Sequence, residues 1–177
     1  MSIARPAAAA ILAALLALFY LWDKGRVERA ALQAAVESRL LVFDTASATS
    51  IDIVNDFGAV RLEREEGRWW MAGPPRELAD SAQVEALLGN IQGAKRTSRV
   101  ATPEEDYGFE PPAARVAVAY ADAQGPKEAV VEFGTARAQA GLVYARVPGE
   151  REVFSLGDWV LRQAARAPGD WRSRLIA

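Results

Sequence analysis

The side chains that carry most acid–base and metal chemistry are missing from this chain, which has no histidine and no cysteine. Their absence removes Ser-His-Asp and Cys-His nucleophilic catalysis, imidazole- and thiolate-bound metals, and disulfides. It also removes the cysteine that is lipidated in a lipoprotein. What remains for proton transfer is a set of 23 Asp and Glu residues. Glycoside hydrolysis needs two carboxylates at a set separation, and no pair is singled out by spacing. Glu104-Glu105-Asp106 is an acidic run. Metal ligands must converge from several backbone directions, which three consecutive acids do not do by themselves. A solvated acidic turn is the expectation there. Lys95, Arg96 and Arg99 form a basic run without interleaved aromatics, in a net acidic chain, and read as a guarded edge strand rather than a phosphate patch. The expectation is no enzyme, with no catalytic residue, no metal site and no cofactor.

Aromatic rings are the remaining candidates for recognition. Trp69, Trp70, Tyr107 and Tyr144 could form platforms for a glycan or peptidoglycan fragment. Packing competes with that reading, because large aromatics dominate core burial. Side chains alternate along a strand, so Trp69 shares a face with Met71 and Trp70 takes the other. If helices cover only one face of the sheet, Trp70 needs a cover: the tail around Trp171, or another subunit. Trp70, Tyr107 and Trp171 are therefore the candidate partner-contact residues.

The elements that must position them can be read in order. Ser50–Val54, Val60–Glu65 and Arg68–Met71 form a meander with Ile51, Ile53, Val60 and Leu62 inward. Asp80 is a helix N-cap, with Gln83 completing a capping-box pattern. Val84, Leu87, Leu88 and Ile91 follow at helical spacing, one buried face. Gly93 is placed for a left-handed C-terminal cap. From Arg115 the plan recurs. Val116, Val118 and Tyr120 alternate, and Ala129, Val131 and Phe133 alternate back. Gly134–Gly141 reads as a loop. Val143–Val147 and Glu152–Ser155 flank a Pro-Gly turn. Ser155 and Asp158 suggest a second capping box before a helix carrying Leu156, Trp159 and Val160.

The N-terminus has a different character. Residues 6–22 are apolar and uncharged, near the lower limit of roughly 17–25 residues for a spanning helix. Phe19, Tyr20 and Trp22 close the run, where a cleavable leader would end on small residues. An uncleaved transmembrane anchor is expected over residues 1–22 with its cytoplasmic tip, and a helical stalk over 23–41. Removing Arg5, the only charge before Asp23, leaves 20 bases against 23 acids. No nucleic-acid partner is expected from that balance.

Trp69-Trp70-Met71-Ala72-Gly73-Pro74, Leu78-Ala79-Asp80 at a helix start, and Asp106-Tyr107-Gly108-Phe109-Glu110-Pro111-Pro112 together resemble the domain of unknown function 4340 family. The likeness covers roughly Asp44 to Ser173, and Phe109 stands where Leu is usual. It implies an accessory domain associated with ABC-2-type transporters linked to gliding motility. It also implies a domain outside the cytoplasmic membrane, whereas the basic flank at Lys24, Arg26, Arg29 and Arg39 by itself favours the cytoplasm. The expected fold is α+β: anchor and stalk, then residues 42–177 as two similar antiparallel meander-plus-helix halves, about 42–100 and 112–167. The expected function is a single-pass, non-enzymatic interaction subunit of an ABC-2-type transporter or related envelope machine. Its expected partners are the bilayer and membrane proteins. The alternative is an envelope ligand-binding module.

Overall fold

The computed structural model describes residues 20, 22–24, 26, 38–96, 98–100, 106–138 and 141–174, with 98–100 and 137 described through their backbone alone. The chain divides into two compact units, 1–38 and 39–177. In the first, Tyr20, Trp22, Asp23, Lys24 and Arg26 are helical, and the Arg26 guanidinium lies 4.8 Å from the centre of the Trp22 ring. Most of the expected anchor and of the expected stalk lie outside the described residues. Among the described residues, no helix is long and apolar enough to cross a membrane.

The second unit is a nine-stranded antiparallel sheet with two short helices. Its strands are β1 (Ala48–Asn55), β2 (Gly58–Glu65), β3 (Arg68–Met71), β4 (Glu77–Leu78), β5 (Ser98–Val100), β6 (Ala114–Asp122), β7 (Gly125–Arg137), β8 (Leu142–Arg146) and β9 (Val153–Gly157). The helices are α1 (Ser81–Gly93) and α2 (Asp158–Ala164). The strand order is β4-β3-β2-β1-β6-β7-β8-β9-β5. Two runs of strands, each followed by a helix, thus occur in the expected order, but they are fused into one sheet. The seam is the β1–β6 ladder, where Ile51 pairs with Val118 and Ile53 with Val116.

Alternation of apolar residues sets the register, because a one-residue slip would turn every buried side chain to the opposite face. Ile51 sits opposite Leu62, Ile53 opposite Val60, Val116 opposite Val131 and Ala145 opposite Phe154. All eight are buried in one cluster that also takes Val84, Leu87, Leu88 and Ile91 from α1 and Val160 and Ala164 from α2. Both helices therefore cover the same face. The opposite face carries polar ladders. Arg61 bridges Asp52 and Glu63 at 2.9 Å each, and Glu132 lies between Arg115 and Arg146.

Each half sends its last segment to the edge of the other. After α1, β5 crosses to pair with β9, so that Ser98 lies opposite Ser155. After α2, the tail crosses to the strand that opens α1. There Ala79 pairs with Arg172, the Asp80 N–H donates to the Trp171 carbonyl at 2.8 Å, and the Ser173 N–H donates to the Leu78 carbonyl at 2.9 Å. The exchange ties together two halves whose sheets already share a ladder.

Several expectations need correction. The compact unit begins at Arg39 rather than residue 42: the Leu40 N–H donates to the Ala94 carbonyl, and Leu40 and Leu41 are buried in the core. Asp80 does cap α1, accepting from the N–H groups of Ala82 and Gln83, but the box is not closed in the usual way. The Gln83 amide donates to the Asp80 carboxylate, and the tail takes the Asp80 N–H. Gly93 is not a left-handed cap; the helix ends on Ala94 in an extended conformation. No second capping box forms, because Ser155 lies within β9 and Gly157, which has no side chain, is the N-cap of α2. Leu156 is a core residue of β9, not of the helix. The stretch after Gly134 continues β7 to Arg137 instead of forming a loop.

Candidate interaction surface

Trp69 and Trp70 separate as strand alternation requires. Trp69 is completely buried, and Trp70 is half-buried on the opposite face. The Trp70 ring is not bare. The chain leaves β3, passes the cis Pro74-Pro75 peptide and returns as β4, with Leu78 opposite Trp70. Arg76, on that return, places its guanidinium 5.0 Å from the Trp70 ring centre and is held by Glu65 at 2.6 Å. A cation over the indole face is attracted by the ring quadrupole and shields it.

The tail does not provide that cover. Trp171 is 1 % exposed and belongs to the same buried cluster as Trp69, on the helix-covered side. It closes a short 3-10 turn, Pro168–Trp171, and the Arg166 guanidinium lies 6.0 Å from its ring. Arg172 pairs with Glu77 on β4. The tail is thus an additional edge segment that closes the core from the side.

Tyr107 is 5 % exposed. Its ring packs on Tyr144 at 4.7 Å and near Phe109 at 6.5 Å, and Arg146 lies 4.6 Å over the Phe109 ring. Tyr144 and Arg146 point away from the helices, so this corner covers the polar face over β8. It is fixed to the far end of β7 by backbone: the Thr135 N–H donates to the Gly108 carbonyl and the Ala136 N–H to the Tyr107 carbonyl. Two glycines permit that approach. Gly108 has φ +73° and a Cβ there would lie 1.9 Å from the Thr135 hydroxyl, while a Cβ on Gly134 would lie 2.1 Å from the Tyr107 carbonyl oxygen. The motif Tyr107-Gly108-Phe109 is a latch, and its rings are enclosed by it.

The groups with shifted protonation are likewise engaged with their own neighbours. Hydrogen bonds from the Gln83 side chain and backbone hold the Asp80 carboxyl below the usual carboxylate range. A hydrogen bond from Lys127 does the same for Asp122 across the β6–β7 turn, and Asp122 in turn raises the Lys127 ammonium. Arg61 is raised by Glu63 and Asp52 on its own face of the sheet. Among the described residues, no three acids converge as a metal set.

Other large apolar side chains of the second unit remain exposed. Among the described residues of this unit, the large exposed apolar ones are Val42, Val54, Phe57 and Trp159. Phe57 is 63 % exposed at the tip of the β1–β2 turn, Val54 precedes that turn, and Trp159 is 43 % exposed at the start of α2. The turn and helix are tied together, since the Asn55 amide donates to the carbonyls of Ala164 and Arg166. A groove of about 540 Å³ lies nearby, lined among the described residues mainly by the end of β7 (Gly134, Thr135, Ala136) and by Leu142 and Val143 of β8, with Asp56 from the turn and Asp158 and Leu161 from α2 at its borders. Phe57 was readable only as part of a turn, and Trp159 was assigned to a helix without a face; neither has periodicity to mark it as exposed.

No curated protein and no solved structure matches the chain. A family profile does match, over residues 69–177. That range starts at Trp69 and takes in the Asp80 cap, the Tyr107-Gly108-Phe109 latch and the Trp171 tail, which are the features that close the core and its edges. It covers more than half of the chain, which therefore belongs to the family described as a domain of unknown function, DUF4340.

Proposed function

We propose that this protein is a non-enzymatic interaction subunit, anchored in the cytoplasmic membrane by its N-terminal apolar segment, with its domain outside and in contact with an ABC-2-type transporter or related envelope machine. One observation carries the reading: the domain's own segments enclose Trp69, Tyr107 and Trp171, while Phe57 on the β1–β2 turn and Trp159 at the start of α2 are left exposed. Large aromatics left outside an otherwise closed core suit an interface with another subunit. The apolar run of residues 6–22 supports membrane attachment.

The alternative, a glycan-binding module, would need open aromatic platforms. Trp69 is in the core, Tyr107 and Tyr144 pack on each other, and Arg76 lies over Trp70. Nothing in this arrangement favours it. The test is chemical crosslinking in native membranes followed by gentle extraction. Recovery of a transporter permease with the protein is the expected result. A protein that extracts alone, as a monomer, under conditions that keep other membrane assemblies intact would refute the proposal.

A further inference from the structure

We propose that residues 39–46, through which the chain enters the second unit, form a strap that peels away as one piece when the chain is pulled from its N-terminal side, leaving the sheet and both helices folded. The inference rests on the anchored reading above for the source of the pull, and adds the domain's response to it. No strand of the sheet includes these residues, since β1 begins at Ala48. The strap meets the rest of the unit at the isolated bridge of Arg39 with Lys95, where the Leu40 N–H donates to the Ala94 carbonyl at 2.8 Å.

Beyond that bridge, side chains hold the strap's backbone. Arg96, just after α1, donates to the Arg39 carbonyl at 3.1 Å and to the Leu40 carbonyl at 3.4 Å. Gln92 of α1 donates to the Phe43 carbonyl at 2.8 Å, the Tyr120 hydroxyl on β6 to the Val42 carbonyl at 3.4 Å, and Arg64 on β2 to the Ala46 carbonyl at 3.0 Å. Bonds of this kind part without breaking a strand ladder. Arg96 is the clasp. Its guanidinium also reaches Glu150 at 3.1 Å and Glu152 at 3.6 Å and lies 4.6 Å from the Phe154 ring. Those partners hold it in position when the carbonyls leave, so the strap can return. Leu40, Leu41 and Phe43 are buried, which keeps the strap closed at rest. Released and extended, residues 39–46 lengthen the chain by up to about 26–29 Å, and tension favours the longer state. A segment that opens apart from the rest is a local unfolding unit.

The test is single-molecule pulling on the full chain in mild detergent. The chain has no cysteine, so Glu37→Cys and Ala123→Cys, the latter on the exposed β6–β7 turn, give two unique handles. The expected record has a first, reversible step of up to about 26–29 Å, then the larger unfolding of the sheet at higher force. Arg96→Met should lower the force of the first step and leave that of the second unchanged. Gln92→Met should act in the same direction, and it decides the matter where Arg96→Met does not fold. Unfolding in one step, an equal fall in both forces, or a first step indifferent to the variant read would overturn the proposal. The instrument supplies the pull and no transporter is present, so failure here is distinct from failure of the crosslinking.

Discussion

Gly134→Ala should loosen the Tyr107–Phe109 latch and destabilise the domain, although the same change elsewhere stabilises it. The added methyl carbon would sit 2.1 Å from the Tyr107 carbonyl oxygen and 3.5 Å from the Phe109 ring. The oxygen belongs to backbone, so no side-chain rotation relieves the overlap; the latch must withdraw by more than an ångström. Withdrawal breaks the hydrogen bonds from the Thr135 and Ala136 N–H groups. Each is worth about 1 kcal/mol net, and the Tyr107–Tyr144 contact adds about 0.5–1.5 kcal/mol beyond its buried area. Against this, alanine restricts the unfolded chain and returns about 0.4–1 kcal/mol. The expected balance is a loss of about 1.5–3 kcal/mol. Gly89→Ala is the control. Gly89 lies exposed in α1, and a Cβ there meets nothing within 4 Å, so stability should rise by about 0.5–1 kcal/mol. Urea titrations followed by tyrosine and tryptophan fluorescence measure both. A Gly134→Ala variant as stable as the parent would show that Tyr107-Gly108-Phe109 does not depend on its close approach to β7.

Leu88→Ala should cost about 2–5 kcal/mol in a thermal or chemical melt, because Leu88 is buried between α1 and the sheet and its loss leaves a cavity. Trp171→Ala should cost about 3–5 kcal/mol, the scale for a large aromatic truncated in a core; a neutral result would show that the tail is not part of the fold. Asp80→Asn should change the acid limb of stability. The Asp80 carboxyl is depressed, first by the Gln83 side chain, so its contribution is present above the unfolded value of about 3.9 and lost as pH falls through the folded value. A plot of melting temperature against pH below about 4 should therefore be flatter in the variant, with the helix still capped.

What the sequence made legible was local and periodic. Period-two alternation set the inward faces of β1, β2, β6 and β7, and helical spacing set Val84, Leu87, Leu88 and Ile91. Asp80 was readable because a carboxylate before an apolar helical pattern has one obvious use. The departures have a common cause, which is that long-range partners are invisible in spacing. The Asp80 N–H was free to be claimed by Trp171, 91 residues away in sequence, so Gln83 bonded the carboxylate instead. Gly134–Arg137 extended as strand because the latch gave its N–H groups carbonyl partners. Trp70 was correctly separated from Trp69, but its cover is Arg76, a neighbour in sequence, rather than Trp171. Trp171 itself went into the core because α2 returns the chain to the edge of β4, a crossing that no local pattern announces. The exposure of Phe57 and Trp159 is likewise invisible in spacing, since a turn residue and a residue of a seven-residue helix carry too little periodicity to mark a face.

The central claim is that the end of the sheet bearing Phe57 and Trp159 meets a membrane partner. Site-specific photocrosslinking in native membranes addresses it, with a benzophenone amino acid placed at position 57, at 159, and at 127 on the β6–β7 hairpin as the comparison site. The account predicts a discrete adduct with a transporter membrane subunit from positions 57 and 159, and none from 127. Adducts from 127 alone, or none from any position while the protein is folded in the membrane, would contradict it.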